Sequence, residues 1–281
     1  MTPIRRHVRL RENSRSSFSI DPVRHTTTSR RIGLARALSK LGYCSRSDAV
    51  ELIRAGRVRL NGEVCRDPEA PVRSANDRID VDGAQLATQP KVYLMLNKPR
   101  GVVTTASDEK GRETVYAYLD DTLPWVAPVG RLDKASEGLL LLTNDSEWAA
   151  RLLAPETHLD KIYHVQIGVV ADAALIESIT QGLRTDDGSF LRAKSARILR
   201  GGEKNTWLEI VLDEGKNRHI RRMLAELGIN VLRLLRSAIG PLPLGELPKG
   251  SSRKLTDTEK RALDQAMRPS PGVPKKLFHK G

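Results

Sequence analysis

Apolar residues recur at helical spacing where the regular part of the chain begins. Residues Ile32–Leu41 show this spacing, which predicts a helix that ends at Gly42. A second helix is predicted to begin after Ser45 or Ser47, since either hydroxyl can cap it, and to end at Gly56. The pattern therefore predicts a pair of short helices.

A tight hairpin is predicted directly after the helix pair. Two short stretches, Val58–Leu60 and Glu63–Cys65, flank an Asn-Gly pair that supplies the positive φ values such a turn requires. A further short strand is predicted at Ile79–Val81. Together these elements predict a compact α-α-β module over residues 32–83, which is too small to house an enzyme comfortably.

A predicted linker, residues 84–91, leads to a larger predicted domain over residues 92–267. Strands outnumber helices there and do not alternate with them regularly, which predicts an α+β fold with a mixed or antiparallel sheet. The predicted strands are Val92–Leu96, Val102–Thr105, Leu139–Leu142, Lys161–Ile167, Trp207–Leu212 and Val231–Ile239. The predicted helices are Thr114–Leu119, Glu147–Leu153, Ala171–Gln181, Arg218–Leu227 and Thr256–Met267.

The chain of 281 residues is basic, with a net charge of +13, but this charge is unevenly distributed. Residues 1–31 contain eight Arg against two acids, a net of +6, and residues 268–281 carry a net of +4. About +3 therefore remains on the folded body. Basicity favours a polyanionic partner, yet most of it lies in two tails that we predict to be disordered. A transit peptide is the alternative for the first tail.

The cysteines and the hydropathy of the chain indicate the cellular compartment in which the protein is expected. The two cysteines, Cys44 and Cys65, lie in no C-x-x-C motif and have no His pair nearby. This favours a reducing compartment over a zinc site or a disulfide scaffold. The chain contains no run of 18 apolar residues and no apolar signal core. We therefore expect a cytoplasmic protein that makes no membrane contact.

The stretch Pro128–Asp145, PVGRLDKASEGLLLLTND, joins a charged loop to an apolar strand. Its four leucines predict a buried strand, so Arg131 and Asp133 should lie on a loop that enters the core. A loop anchored by a core strand can hold a catalytic carboxylate still. An ion pair between Arg131 and Asp133 that only ties the loop down is the structural alternative.

Two further segments carry candidate chemistry. Tyr163 lies on the predicted strand Lys161–Ile167, where half-buried packing is the usual alternative to a functional role. The segment EGKNRHIRRM, residues 214–223, places four cations within seven positions at a helix start, where they repel one another and oppose the macrodipole. Such a conflict is more expected at an anion-binding site than in a structural segment. Arginines paired with Asp213 and Glu214 are the structural alternative.

Several motifs that would indicate a cofactor or a metal are absent from the sequence. It contains no glycine-rich phosphate loop, no G-x-G-x-x-G, no G-x-S-x-G and no H-E-x-x-H. The six histidines are scattered along the chain. The simplest prediction is a site built on one carboxylate, with no cofactor and no metal.

The predicted helix pair and hairpin also carry a group of basic residues, which either contact phosphates or form an ordinary solvated face. The stretch LARALSKLGYCSRSDAVELIRAGRVRLNGEV resembles the S-four-like RNA-binding module. That resemblance implies that Arg46 contacts RNA, while Ser47 stands where the family often has another basic residue. The RNA-binding candidates of this module are Arg36, Lys40, Arg46, Arg54 and Arg57.

Three motifs in this order, GRLDKASEGLLLLTND, KIYHVQIG and EGKNRHIRRM, resemble the bacterial rRNA pseudouridine synthases of the small-subunit type. That group includes several large-subunit enzymes, and the resemblance spans residues 32–267. It implies that Asp133 acts at the ribose of the target uridine and that Tyr163 stacks on the base near its C5 proton. It also implies that Arg221 ion-pairs Asp133 and that Ile220 packs against the base. Further substrate-binding candidates are Arg131, Lys216 and Arg218.

The sequence departs from this family's pattern at two places. Ser136 stands where Thr is commoner, which is a mild change, and His219 stands where Gln is commoner. The isomerisation needs no cofactor, only a carboxylate at the sugar and room for the base to leave its stack and rotate. An Arg beside Asp133 would keep that carboxylate ionised at neutral pH.

We therefore expect a monomeric pseudouridine synthase that acts on ribosomal RNA or a ribosomal subunit precursor, with 23S favoured over 16S RNA. One rival is a non-catalytic rRNA-binding assembly factor on the same scaffold. Another is a nucleoside or glycoside hydrolase that uses Asp133, which would need a second positioned carboxylate. Glu137 is the nearby candidate for that carboxylate.

Overall fold

The computed structural model describes residues 31–73, 77–106, 108 and 110–268. The two predicted tails therefore lie outside the described residues, apart from Arg31 and Arg268. No helix of the described part is long and apolar enough to cross a membrane.

The N-terminal elements confirm the predicted order of two helices followed by short strands. Ile32 and Gly33 correct the predicted start of the first helix, because they pair with Val72 and Pro71 as a small antiparallel ladder. The elements are β1 Ile32–Gly33, α1 Leu34–Lys40, α2 Arg46–Arg54, β2 Val58–Leu60, β3 Glu63–Val64, β4 Pro71–Val72, β5 Ile79–Val81 and β6 Ala84–Gln85.

Capping and turn chemistry explain these boundaries. Ser45, rather than Ser47, caps α2, because its hydroxyl accepts the Asp48 amide at 3.0 Å. Asn61 and Gly62 adopt φ values of 54° and 91° between β2 and β3, as the predicted hairpin requires. Strands β3, β2, β5 and β6 form a sheet in that order, so the predicted linker begins with a paired strand.

The larger domain contains the predicted helices and most of the predicted strands. Residues Val102–Thr105 are an exception, since only Val103 makes a bridge, to Thr114. Short 3₁₀ turns cover Val115–Tyr118 and Pro155–Thr157. The elements are β7 Tyr93–Lys98, β8 Ala127–Val129, β9 Glu137–Thr143, α3 Ser146–Leu153, β10 Lys161–Ile167, α4 Ala173–Gln181, β11 Leu183–Arg184, β12 Phe190–Leu191, β13 Ser195–Gly201, β14 Thr206–Leu212, α5 His219–Glu226, β15 Val231–Ile239, β16 Leu242–Pro243, β17 Ser252–Lys254 and α6 Asp257–Ala266.

One large sheet organises this domain, with the strand order β13-β14-β10-β15-β9-β7-β17 and with β8 and β16 as side branches. Strands β9 and β15 pair in parallel and the other described pairs are antiparallel, so the sheet is mixed, which confirms the predicted α+β class. The parallel pair places Gly138 beside Arg236. A Cβ on Gly138 would lie 2.4 Å from the Arg236 carbonyl oxygen, so this position requires glycine.

The four consecutive leucines of β9 are buried on both faces of the sheet. Leu139 and Leu141 pack in one cluster with Trp148 of α3, while Leu140 and Leu142 pack in another cluster. Successive strand side chains point to opposite faces, so a strand covered on both sides is continuously apolar. This confirms the buried strand that the sequence predicts after the charged loop.

The N-terminal module packs against the larger domain through a few specific contacts. The Trp125 amide donates to the Gly42 carbonyl at 3.0 Å, and the Trp125 ring stacks on Tyr116 with centroids 4.8 Å apart. Lys40 forms an ion pair with Glu147 of α3 at 3.3 Å. These contacts bring the helix pair to the side of the domain where α3 begins.

Candidate active site

A cleft of about 370 Å³ lies where the loop before β9, strand β10 and the start of α5 meet. Its volume is within the usual range for small-ligand pockets, about 300–1,000 Å³. All seven site candidates proposed for the larger domain line this one cleft, although they come from three separate parts of the sequence. They are Arg131, Asp133, Tyr163, Lys216, Arg218, Ile220 and Arg221.

The loop that carries Asp133 is held by its backbone. Leu132 is buried in the core beside it, and each of the five successive carbonyls from Leu132 to Ser136 accepts a hydrogen bond. The donor–acceptor pairs are Thr104 Oγ1 with Leu132 O (2.8 Å), Lys98 Nζ with Asp133 O (3.2 Å), Gly101 N with Lys134 O (2.7 Å), Arg221 Nη2 with Ala135 O (3.0 Å) and Lys98 Nζ with Ser136 O (2.9 Å).

Lys98, the last residue of β7, is the main clamp on this loop, and it is not among the site residues predicted from the sequence. Its side chain is fully buried, and its amine also donates to the Pro99 carbonyl at 3.1 Å. Burial lowers the pKa of the Lys98 amine to about 8, and the carboxylates of Asp133 and Glu137 oppose that shift. The signal that could have identified Lys98 is a lysine at the end of a strand whose first four residues are apolar or aromatic.

Arg221 is placed differently from the expectation. The resemblance implies an ion pair with Asp133, but no such pair occurs among the described residues, and Arg221 instead donates to Ala135 and, at 3.4 Å, to Val231. Asp133 is nevertheless near enough for its charge to raise the pKa of the Arg221 guanidinium, against a larger lowering by burial. Arg221 therefore holds the loop and adds positive charge behind the carboxylate.

Tyr163 and Ile220 form an apolar wall of the cleft. Ile220, in the first turn of α5, is buried in the cluster that includes Val165, Leu208 and Ile210. Tyr163 is half-buried and packs against that cluster, so the packing role and the cleft-lining role coincide. An aromatic and an aliphatic side chain in one pocket form a platform on which a flat ring can stack.

The basic segment before α5 is only partly neutralised. Lys216 lies 2.9 Å from Glu214, and buried His219 lies 3.6 Å from the same carboxylate. Arg222 is paired with Asp187 at 2.6 Å. Arg218 is exposed at a φ of 47° and enters no ion pair within the described ranges. The alternative of arginines paired with Asp213 and Glu214 therefore does not describe this segment.

Two acids bear on the hydrolase alternative. Glu137 does not line the cleft, since it is buried and ion-paired with Arg233 at 2.9 Å and Lys249 at 2.7 Å. Glu214 does line the cleft, but it forms an ion pair with Lys216. The carboxylate proposed for that alternative is therefore committed to structural ion pairs.

A second cleft of about 380 Å³ lies on the other side of the same loop. It shares Arg131 and Asp133 with the first cleft and is also lined by Lys110 and Lys134. Arg131 is exposed and forms no ion pair with Asp133 among the described contacts, so it does not tie the loop down in the way the structural alternative required. Arg131 instead places a free cation at the boundary of the two clefts.

A groove of about 410 Å³ lies between the N-terminal module and the larger domain. Arg36, Lys40 and Arg46 line it from the module, and Leu153 of α3 lines both this groove and the cleft that contains Asp133. The remaining two RNA-binding candidates, Arg54 and Arg57, are not among the lining residues.

These five basic candidates differ in their partners. Arg57 forms a two-point ion pair with Asp82, at 2.9 and 2.5 Å, and Lys40 is paired with Glu147. Arg36, Arg46 and Arg54 are exposed and enter no ion pair in the described part of the chain. Three of the five charges are therefore free to meet an anion.

A carboxylate cleft beside a small basic module is the arrangement of an RNA-modifying enzyme. The family model described as RNA pseudouridylate synthase matches residues 92–226, and the S4 domain model matches residues 32–79. An RNA pseudouridine synthase of Aquifex aeolicus (strain VF5) is 39% identical over 84% of this chain and 95% of its own length. The chain therefore belongs to the RNA pseudouridine synthase family and carries an S4 domain at its N-terminal end.

Two further comparisons agree with this assignment. The ribosomal large subunit pseudouridine synthase B of Bacillus subtilis (strain 168) is 35% identical over 82% of this chain and 94% of that protein. A crystal structure of a pseudouridylate synthase superposes with a TM-score of 0.59 and 29% identity, covering 83% of this chain and 99% of that one. The predicted family, enzyme class and fold are thereby confirmed.

Proposed function

We propose that this protein converts a specific uridine of ribosomal RNA into pseudouridine, acting as a monomer in the cytoplasm. The observation that carries this proposal is the single cleft that gathers Asp133, Tyr163, Ile220 and Arg221. A large-subunit RNA is favoured, because the Bacillus subtilis relative is named for that subunit. The segment Asp133–Ser136 also resembles the large-subunit members of the family more than the small-subunit ones.

Asp133 is the group that acts on the ribose of the target uridine, either by attack at C1′ or by removal of the C2′ proton. Its loop is anchored at every carbonyl from Leu132 to Ser136, so the carboxylate is held in place before substrate arrives. Arg221 places a positive charge near Asp133. The role of Arg221 is to position the loop through its hydrogen bond to the Ala135 carbonyl.

The target base must leave its stack to reach Asp133, which costs a few kcal/mol. Tyr163 and Ile220 offset this cost by forming the platform on which the uracil ring lies. Tyr163 is also the side chain placed to assist loss of the C5 proton. The cations at the rim, Arg131, Lys216 and Arg218, bind the flanking phosphates.

The N-terminal module docks structured RNA beside the cleft. We propose that the RNA strand leaves the cleft past Leu153 and continues along the groove that Arg36 and Arg46 line. Contacts of this kind depend on salt and carry no sequence information, so they position the RNA rather than select the uridine. In place of the predicted limits 32–83 and 92–267, we propose that the module extends through β6 to residue 85 and that the catalytic domain spans residues 92–267.

The test is tritium release from ribosomal RNA labelled at uridine C5, with wild type compared with Asp133→Ala. We expect release by wild type and none by the variant, with matching circular dichroism spectra as evidence that both are folded. Carbodiimide-stop mapping of the product then locates the uridine. Release by neither protein from large- or small-subunit RNA or precursor subunits would favour the non-catalytic assembly factor.

A further inference from the structure

The floor of the cleft carries two cations that the proposed chemistry has not used. Lys161 and Arg236 both line it, and Arg236 is only 6% exposed. In the sheet register Arg236 lies directly opposite Tyr163, and Lys161 lies two residues before Tyr163 on the same strand. Side chains directly opposite each other, or two apart on one strand, share a face of the sheet. Lys161, Tyr163 and Arg236 therefore form one surface.

The guanidinium of Arg236 is fixed but incompletely satisfied. Its Nε donates to the Leu139 carbonyl at 2.7 Å, while its buried Nη2 has no hydrogen-bond partner among the described residues. A buried donor without a partner costs about 1–3 kcal/mol, so such a group indicates a missing ligand or a reservoir of strain.

Lys161 is not neutralised either. It enters no ion pair among the described residues, and the nearest acid in sequence, Asp160, is paired with Lys194 at 2.8 Å. Burial and the neighbouring charge of Arg236 lower the pKa of the Lys161 amine, and the charges of Asp160 and Asp213 oppose this shift. Two like charges thus lie close together in a partly desolvated cleft, an arrangement that is relieved when an anion binds between them.

We propose that Lys161 and Arg236 stabilise the negative charge on the uracil ring while the base is detached from the ribose. This inference rests on the proposed function of Asp133 at the target uridine. When the C1′–N1 bond breaks, both electrons stay with the base and spread over N1, O2 and O4. When C5 bonds to C1′, an electron pair of the ring forms that bond, the C5 proton leaves and N1 takes up a proton.

This charge balance holds for both routes open to Asp133. If the carboxylate attacks C1′, the ester bond to C1′ breaks when C5 bonds there, and the carboxylate is restored. If it takes the C2′ proton, that proton returns to C2′ in the second half of the reaction. No oxidant, reductant or co-reactant is consumed on either route.

The part of the cleft that Lys161 and Arg236 line suits the uracil base better than a phosphate. A flipped nucleotide inserts its base into the pocket, whereas its phosphates stay in the continuous strand at the rim. The exposed cations Arg131, Lys134 and Arg218 lie at that rim or in the adjoining cleft, where a strand can reach them. Fixed donors in a desolvated site stabilise developing charge more strongly than they do in water.

The experiment measures single-turnover rates and RNA affinity on in vitro transcribed large-subunit ribosomal RNA. We expect Arg236→Gln to slow the chemical step by about 10²–10³-fold, the usual effect of removing one charge-stabilising donor, with the RNA Kd unchanged. Lys161→Gln should act in the same direction. Arg197→Gln is the control, because it removes the same charge from an exposed arginine that pairs with Glu209 outside the cleft.

A transcript containing 5-fluorouridine separates charge stabilisation from a structural role. The fluorine withdraws electrons and itself stabilises the detached base, so the variants should show a smaller deficit in cleavage of the N-glycosidic bond than with uridine. Nuclease digestion and mass spectrometry measure that cleavage. Equal deficits with both transcripts would overturn the proposal, as would a wild-type rate in both variants.

Two other results have distinct meanings. A raised Kd with a shallower salt dependence would overturn the proposal in favour of a phosphate contact. Absence of turnover by wild type on large-subunit RNA, small-subunit RNA and precursor subunits would reject the proposed function itself, and the inference with it. If wild type is active and the variants contradict the expectation, only the inference about Lys161 and Arg236 fails. If wild type is inactive on all of these RNAs, the proposed function fails as well.

Discussion

The Asp133 loop and the basic surface of the S4 domain use their polar groups in opposite ways. In the loop, five successive carbonyls are bound by donors from four residues in two other segments of the chain. On the S4 domain, Arg36, Arg46 and Arg54 are exposed and unpaired within the described ranges. The difference indicates that one region is built to hold a group still and the other to meet a mobile polyanion.

Physical chemistry explains why the two regions differ. A catalytic carboxylate misplaced by about 1 Å can lose roughly 10²-fold in rate, so its backbone must be fixed. Phosphate contacts tolerate such errors, because they act through charge and released counterions.

Lys98→Met should lower the isomerisation rate by about 10²-fold, because Pro99, Asp133 and Ser136 lose the amine that holds their carbonyls. Tritium release measures the rate, and circular dichroism shows whether the variant is folded. Lys194→Met is the matched control, since it removes an exposed lysine paired with Asp160. A folded Lys98→Met protein with wild-type activity would show that the isomerisation rate does not depend on the hydrogen bonds from Lys98 to this loop.

The same lysine should make stability depend on alkaline pH. The folded-state pKa of Lys98 is about 8, below its ordinary value of 10.5, so between these values the unfolded chain binds the proton more tightly. The destabilisation caused by the buried charge is therefore present below pH 8 and is lost as the pH rises to 10.5. Wild type should gain up to about 3 kcal/mol relative to Lys98→Met over this window.

Denaturant unfolding of both proteins at several pH values measures this gain. Subtracting the Lys98→Met curve cancels the titration of the other lysines and tyrosines. A difference that stays constant from pH 8 to pH 10.5 would mean that the Lys98 amine has an ordinary pKa in the folded protein.

Arg46→Gln should weaken RNA binding and reduce the slope of log K against log salt by about 1, because it removes one free cation. Arg57→Gln is the matched control. Its guanidinium is already paired with Asp82, so its loss should leave the slope nearly unchanged. Filter binding of ribosomal RNA over a salt series gives both slopes, and equal slopes for the two variants would contradict the distinction between paired and free arginines.

Glu147→Gln should have the smallest effect. It breaks the exposed ion pair with Lys40 that joins the S4 domain to α3, and exposed pairs contribute at most about 1 kcal/mol. The loss should disappear in high salt, where such pairs are screened. Unfolding curves at low and high salt test this, and a large loss that persists in salt would show that the contact between the domains depends on this pair.

Part of the candidate site could be predicted from the sequence. The motif around Asp133, the strand with Tyr163 and the basic segment with Arg221 were each visible as local strings, and the structure brings them into one cleft. The predicted ion pair between Arg221 and Asp133 was wrong, because the two side chains form no such pair among the described residues. Arg221 reaches the carbonyl of Ala135, which is 86 residues away in sequence.

Local periodicity and turn chemistry determined the elements of this protein. The leucines of β9, the Ser45 cap and the Asn-Gly hairpin follow from the spacing and chemistry of neighbouring residues. Two features depend on the tertiary fold: Lys98 clamps the Asp133 loop, 35 residues further along the chain, and Arg236 lies opposite Tyr163. The reason is that strand order and register bring distant segments together. A local sequence pattern does not indicate which residue of another strand will lie opposite a given residue.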